Sequence, residues 1–271
     1  MENENTSEER DFSFRKFWGQ DNIAQHVEYR RNNLTYCIYC GAEANTREHC
    51  PSKVFLRKPY PNNLSVLPAC KSCNNSFSED EIYTEIYIDA LKYLSGYSKN
   101  ISFENQERIY KNTAFYDAQQ DYVKFLESNK LPINDKLINI LTKLSIGHLI
   151  YELSIGYSVS DKLIKPINLN YYTKFNIHKE LLDDFESPIN MSNKLLPELG
   201  SRAYGNIYVL EFDLHEYLGN NTQTIQLPIM NWTISQPNEY QYISWIENRQ
   251  YAHIRIIIHE FLYAEMIYAL E

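Results

Sequence analysis

The sequence predicts an α+β protein: a small cysteine-rich unit, then a helical region, then a small antiparallel β-sheet. Three observations carry that expectation. Two CxxC pairs, Cys37/Cys40 and Cys70/Cys73, bracket a stretch dense in Pro and Asn without helical periodicity, which suits short strands and turns held by something other than a large core. Three stretches between residues 78 and 159 read as helices. From about residue 203, β-branched and aromatic runs alternate with turn residues. A chain of 271 residues, 44% of them hydrophobic, has material for one large domain or two smaller ones. The expected division is residues 1–29 as an acidic tail and lead-in helix, 30–97 as the cysteine-rich unit, and 98–271 as a helical and sheet domain.

In chain order, MENENTSEERD is acidic and polar, with neither the basic end nor the apolar stretch of a signal peptide. No apolar run approaches the roughly 18–20 residues that span a bilayer. The expected location is the cytoplasm, where thiols stay reduced, so CxxC spacings argue for metal or redox chemistry over disulfides. The lead-in DFSFRKFWGQDNIAQHVEYRR reads as a short amphipathic helix or an irregular segment. The two pairs then stand 29 residues apart. Each CxxC turn supplies two sulfurs, and two such turns close a tetrahedral zinc site around Cys37, Cys40, Cys70 and Cys73. With four thiolates in place no position stays open for water, so this zinc is structural. A redox reading needs only one CxxC opening a helix after a buried strand, which leaves the second pair without a purpose. Cys50 has no second base near it in sequence and reads as a small buried residue under the hairpin.

In SFSEDEIYTEIYIDALKYLSG, Ile82, Ile86, Ala90 and Leu94 fit a 3.6-residue period, with Tyr83, Tyr87 and Leu91 beside them. Ser78 with Glu81, or equally Ser76 with Glu79, would form a capping box. A second helical region covers about 104–130. The third, LINILTKLSIGHLIYELSIGYSV at about 137–159, is apolar on most sides and reads as a central helix. GNIYVLEFDLHEY, TQTIQLPIMNWTIS, EYQYISWIE and YAHIRIIIHEF, separated by NN, QPN and ENRQ turns, read as an antiparallel meander. His148, His178, His215, His253 and His259 are scattered and read as structural, the last two on one face of a strand.

Net charge is −9, but residues 30–78 hold seven basic side chains against Glu43 and Glu48, a local balance of +5 that leaves −14 elsewhere. Association with phosphate follows the local field. Arg30, Arg31, Arg47, Arg57, Lys58 and Lys71 are therefore candidate nucleic-acid contacts.

CIYCG…REHCPSKVF…NNLSVLPACKSCNN resembles the HNH endonuclease family over roughly residues 33–90. That family's ββα-metal core carries an Asp/Glu-His pair on its first strand, an Asn on its second and a His or Asn opening the helix. Many members flank it with two CxxC zinc knuckles. The resemblance implies that Glu48 is an acidic ligand of a catalytic cation, His49 the general base, Asn63 the central Asn that holds the His49 ring, and Asn74 the final cation ligand. Asn62 is the alternative to Asn63, which is preferred because Leu64 follows it. Oxygen ligands of this kind favour Mg²⁺ or Mn²⁺. The chain departs from the pattern at Phe77, where a lysine is common, and at Glu48, where Asp is commoner.

The implied activity is metal-dependent hydrolysis of phosphodiester bonds in double-stranded DNA. A base activates water while a cation neutralises charge building on the phosphate, and a neutral histidine near pH 7 accepts the proton. Neighbouring strand residues point to opposite sides, so Glu48 would serve the metal and His49 the water. An RNA-directed nuclease and a zinc-stapled nucleic-acid- or protein-binding module without cleavage are the other functions this motif allows. By analogy with bacterial HNH proteins bearing appended domains, the protein would be a restriction or phage-defence effector, its acidic C-terminal part meeting a partner protein or a second copy.

Overall fold

The structure, a computed structural model, describes residues 26–28, 36–153, 165–197, 201–213 and 224–270. Strand β1 (His26–Glu28) is followed by β2 (Thr46–Cys50) and β3 (Leu64–Ala69). β3 lies in the middle, antiparallel to β2 with His49 opposite Val66, and parallel to β1 with His26 opposite Leu64. The expected lead-in helix thus contains a strand at 26–28; the rest of that lead-in and the acidic tail lie outside the described residues.

Two helices follow the hairpin, α1 (Lys71–Ser76) and α2 (Ser78–Leu94). Neither expected capping box forms. Phe77 is the N-cap of α2 and contributes no side-chain bond. Ser76 Oγ turns back to the Cys73 carbonyl, and the Glu81 carboxylate goes to Lys143. What remains at the N-terminus of α2 is the charge of Glu79, Asp80 and Glu81, which complements the helix dipole. Its inward stripe includes Tyr83, Ile86, Tyr87, Ala90 and Leu91, whereas Ile82, expected on that stripe, is exposed.

The second helical region is interrupted. It holds α3 (Phe103–Gln106), a 3₁₀ turn at Ile109–Lys111 and α4 (Ala114–Ser128). The break is local chemistry: Asn112 is extended and its side-chain oxygen accepts from the Ala114 N–H at 2.9 Å, starting α4 afresh. Asn129 in the left-handed region closes α4. Helix α5 (Asp135–Leu153) is buried continuously from Ile140 onward, the signature of a helix enclosed on all sides.

β4 (Asn168–Thr173), α6 (Lys179–Glu186), β5 (Ile189–Asn190) and β6 (Lys194–Leu195) come next. Then come β7 (Ile207–Asp213), β8 (Thr224–Met230), β9 (Thr233–Gln236), β10 (Tyr240–Glu247), β11 (Tyr251–Ile258) and β12 (Leu262–Ala269). The strands beyond residue 203 form two sheets rather than one meander. β8 pairs with both β5 and β7, while β10, β11 and β12 sit in a sheet of order β4-β12-β11-β10-β6, with β9 also on β10. β4 and β12 escape a propensity reading. LYAEMIYA contains Ala, Glu and Met, which favour helix, and it is a strand because β11 and β4 flank it on both sides.

Period-2 alternation gives the larger sheet two apolar faces. Tyr240, Tyr242, Ile254, Ile256, Ala264 and Met266 join α5 in one core. Ile243, Trp245, Ile257 and Tyr263 join Phe185, Met230 and Trp232 in a second. The first core also takes in Cys50, Leu64 and Leu67 from the hairpin and Ile86 and Leu91 from α2. The boundary expected at residue 97 therefore does not divide the core: α5 packs between hairpin and sheet. Gly147 permits that approach, since a Cβ there would lie 2.8 Å from Cys50 Sγ and 3.4 Å from Leu67 Cδ1. No helix among the described residues is long and apolar enough to cross a membrane.

Candidate functional site

Short backbone bonds gather the cysteines. The Cys37 N–H donates to the Ala42 carbonyl at 2.6 Å and the Gly41 N–H returns to the Cys37 carbonyl at 2.9 Å, with Gly41 at φ 70° making the turn. The Ile38 N–H donates to the Pro68 carbonyl at 3.1 Å, laying this turn against β3. At the same end of β3, Cys70 caps α1, its sulfur accepting from the Cys73 N–H at 3.4 Å. Cys37, Cys40, Cys70 and Cys73 consequently hold their sulfurs within 4.8 Å of one another. Cys40 and Cys70 Sγ are 3.7 Å apart, against about 3.8 Å between sulfurs in a tetrahedron with metal–sulfur bonds of about 2.3 Å. Donor type, number and spacing all fit a four-thiolate metal site. The Cys73 N–H leads the causes that lower the Cys70 thiol to about 7, while burial raises the thiols of Cys37 and Cys73.

The residues implied by the family resemblance do not all converge. On β2, Glu48 and Cys50 face inward, while Arg47 is exposed and His49 half-buried on the opposite face. Glu48 Oε1 accepts from Lys143 Nζ of α5 at 2.9 Å, and the same ammonium donates to Ser52 Oγ at 2.9 Å and to the Glu81 carboxylate. Burial pushes the Glu48 carboxyl above its ordinary value, opposed by the charge of Lys143. Asn74 turns elsewhere: its Nδ2 donates to Thr46 Oγ1 at 3.2 Å and to the Arg47 carbonyl at 3.3 Å, latching α1 onto the start of β2. Asn63 was expected on the second strand but lies in the exposed turn before it, beside Asn62. With His49 opposite Val66, Asn63 falls outside the β2–β3 pairing.

The structure therefore brings Asn74 to the start of β2, the strand that carries both Glu48 and His49, and leaves Asn63 in the turn before β3. A magnesium or manganese ion shared by Glu48 and Asn74 does not fit this arrangement. The carboxylate is sealed within the core and already faces a cation, and the two side chains share no partner.

The basic residues divide similarly. Arg30 and Arg31 lie outside the described residues. Arg47, Lys58 and Lys71 are exposed, with Arg47 and Lys71 near the cysteine end of the hairpin and Lys58 in its far loop. Arg57 is committed to the fold and is withdrawn as a nucleic-acid contact. Its Nη2 lies 2.8 Å from Glu85, and its backbone exchanges two hydrogen bonds with the Gln236 amide. His259 bridges the same group, Nε2 to Glu85 at 2.7 Å and Nδ1 to Glu239 at 2.6 Å. Burial favours protonating Glu85, yet His259 and Arg57 more than reverse this and hold its carboxyl at about 2. Burial likewise opposes the His259 imidazolium, and Glu85 with Glu239 outweighs it, raising that pKa.

His259 stands in the β11–β12 turn at φ 54°, not on a strand face with His253, which stacks on Trp245. His148 Nε2 meets the Tyr240 hydroxyl at 2.9 Å, and burial keeps its imidazole neutral. Cys50 is buried against α5, where burial pushes its thiol well up and away from reactivity.

Lys143, Glu81 and Ser52 were not anticipated at this site. One signal existed: a lysine inside a helix apolar on most sides must be paired. Its partner, 95 residues earlier, has no trace in local spacing. No protein-family model, curated protein or solved structure matches the chain.

Proposed function

We propose that the protein is an HNH-type endonuclease that hydrolyses phosphodiester bonds in DNA. One observation carries the reading: four clustered cysteines tie the 37–40 turn, the end of β3 and the start of α1 together, with Asn74 latched to the strand bearing His49. The order β2, β3, α1 along the chain supports this reading. Zinc suits the four-thiolate donor set, and as a closed site it serves structure alone. His49 takes the proton of the attacking water. Arg47 and Lys71 flank the same end of the hairpin and are the phosphate contacts. The reading leaves Glu48 out of any site for magnesium or manganese.

The test is cleavage of supercoiled plasmid, single-stranded DNA and RNA with Mg²⁺ or Mn²⁺. His49→Ala is expected to lower the rate by about 10²–10⁴-fold while the melting temperature holds. Parent-like cleavage by that variant removes His49 as the base, and preferential cleavage of RNA replaces the substrate.

A second reading, a zinc-stapled binding module that does not cut, is favoured by one observation: the carboxylate of the motif is already paired with Lys143. DNA retention that weakens with salt, without cleavage under any divalent cation, would select it.

A further inference from the structure

We infer that Glu48 is the internal counter-ion of Lys143 and not a ligand of a substrate-facing cation, and that this pair fixes the His49 strand to helix α5. The inference rests on the nuclease reading only for the role of His49.

Three features lead to it. First, β2 turns Glu48 inward, toward α5, and His49 to the opposite face. Second, the inward face is roofed. Cys50, next on that face, packs so closely on α5 that a Cβ on Gly147 would meet its sulfur at 2.8 Å. Glu48 Oε2, the oxygen Lys143 does not hold, is shielded from solvent and has no hydrogen-bond partner. It could not share a cation with DNA outside.

Third, Lys143 is not a removable plug. It is 1% exposed and projects from a helix enclosed by core, so its ammonium cannot withdraw unless α5 does. Removing one member of such a pair strands a buried charge, whereas removing both does not. Lys143 also holds Ser52 and Glu81, so one ammonium joins β2, the segment after it and α2 to α5. The C-terminal half thereby sets where the strand of His49 lies.

The experiment uses the full-length, zinc-loaded protein with Glu48→Gln, Lys143→Met and the double variant. Mn²⁺ binding is followed by electron paramagnetic resonance, alongside thermal melting and plasmid cleavage. Each single variant is expected to melt lower and the double variant to recover part of the loss, a coupling that distant sites would not show. Glu48→Gln is expected to bind Mn²⁺ as the parent does. Lys143→Met is expected to lower kcat and leave KM for plasmid unchanged.

Loss of more than about tenfold in Mn²⁺ affinity in Glu48→Gln, with an unchanged melting temperature, overturns the inference. So does tighter Mn²⁺ binding by Lys143→Met, which would make the lysine a competitor at a cation site. If Lys143→Met does not fold, the Glu48→Gln arm decides alone. A parent protein that takes up no Mn²⁺ and cuts nothing counts against the nuclease reading, while the melting coupling still decides the pair.

Discussion

The two ends of the β2–β3 hairpin are held by different devices. At one end four sulfurs within 4.8 Å join segments that are already neighbours along the chain or across the hairpin. At the other, the 51–63 loop is tied by Arg57 to Glu85 of α2, to Gln236 of β9 and, through Glu239 and His259, to the C-terminal sheet. The first device is local and suits a metal ion. The second is long-range and needs the rest of the fold.

Removing the metal should have the largest effect. Structural zinc contributes about 10–16 kcal/mol in isolated finger peptides, comparable to the whole stability of a typical domain at about 5–15 kcal/mol. Elemental analysis is expected to find one zinc per chain. Cys70→Ser is expected to abolish the cooperative melt of the hairpin core, read from the near-ultraviolet circular dichroism of Tyr39 and its neighbours. Protein purified without zinc that melts like the parent would break the comparison at its local end.

The ionic end should cost less. Glu85 and His259 are both nearly fully buried, so His259→Leu, which leaves Glu85 with Arg57 alone, is expected to cost about 1–3 kcal/mol. The pH dependence has two sides. His259 has a raised pKa, so its contribution is complete below its ordinary value of about 6.5 and is lost as pH rises through the raised value. Glu85 has a depressed pKa, so its contribution is complete above about 4.3 and is lost as pH falls toward about 2. The melting-temperature gap between parent and His259→Leu should be widest between these limits and narrow on both sides. A gap that does not change with pH would mean that His259 acts by packing alone.

Between the two ends lies the approach to α5, where a smaller effect is expected. Gly147→Ala gains about 1 kcal/mol of helix propensity, but its Cβ would crowd Cys50 Sγ at 2.8 Å, and overpacking of this kind costs about 1–3 kcal/mol. Net destabilisation in denaturant titration, relieved by adding Cys50→Ala, would locate the strain at that contact. Smallest in stability are the exposed cations. Lys71→Ala is expected to leave melting unchanged, and Lys71→Ala and Arg47→Ala each to reduce the salt slope of DNA retention by about 1. Arg57→Ala should do the reverse, lowering stability with little change in that slope.

How far the residues themselves disclosed this arrangement depends on the distance between the groups involved. The cysteine cluster was legible because CxxC encodes its own turn. The α2 helix and the β10–β11 hairpin were legible because periodicity and turn residues are local. The direction of Glu48 was not. Alternation along β2 fixes only that Glu48 and His49 oppose each other, and which of them faces the core depends on what covers the sheet. Arg57 counted toward a basic field in the sequence, yet its charge is spent on Glu85, whose place beside it arises only on folding. Asn63 fitted the motif by the Leu that follows it, but the turn ends one residue too late to put it on the strand.

The four-cysteine cluster, the helices with clear apolar period and the strands bounded by turns could be read along the chain, because each follows from side chains a few positions apart. That α5 roofs the hairpin, that Lys143 claims Glu48 and that LYAEMIYA is a strand emerges only on folding. Burial, charge compensation and strand pairing are settled between surfaces that meet after collapse, and no short-range spacing records which surfaces those will be.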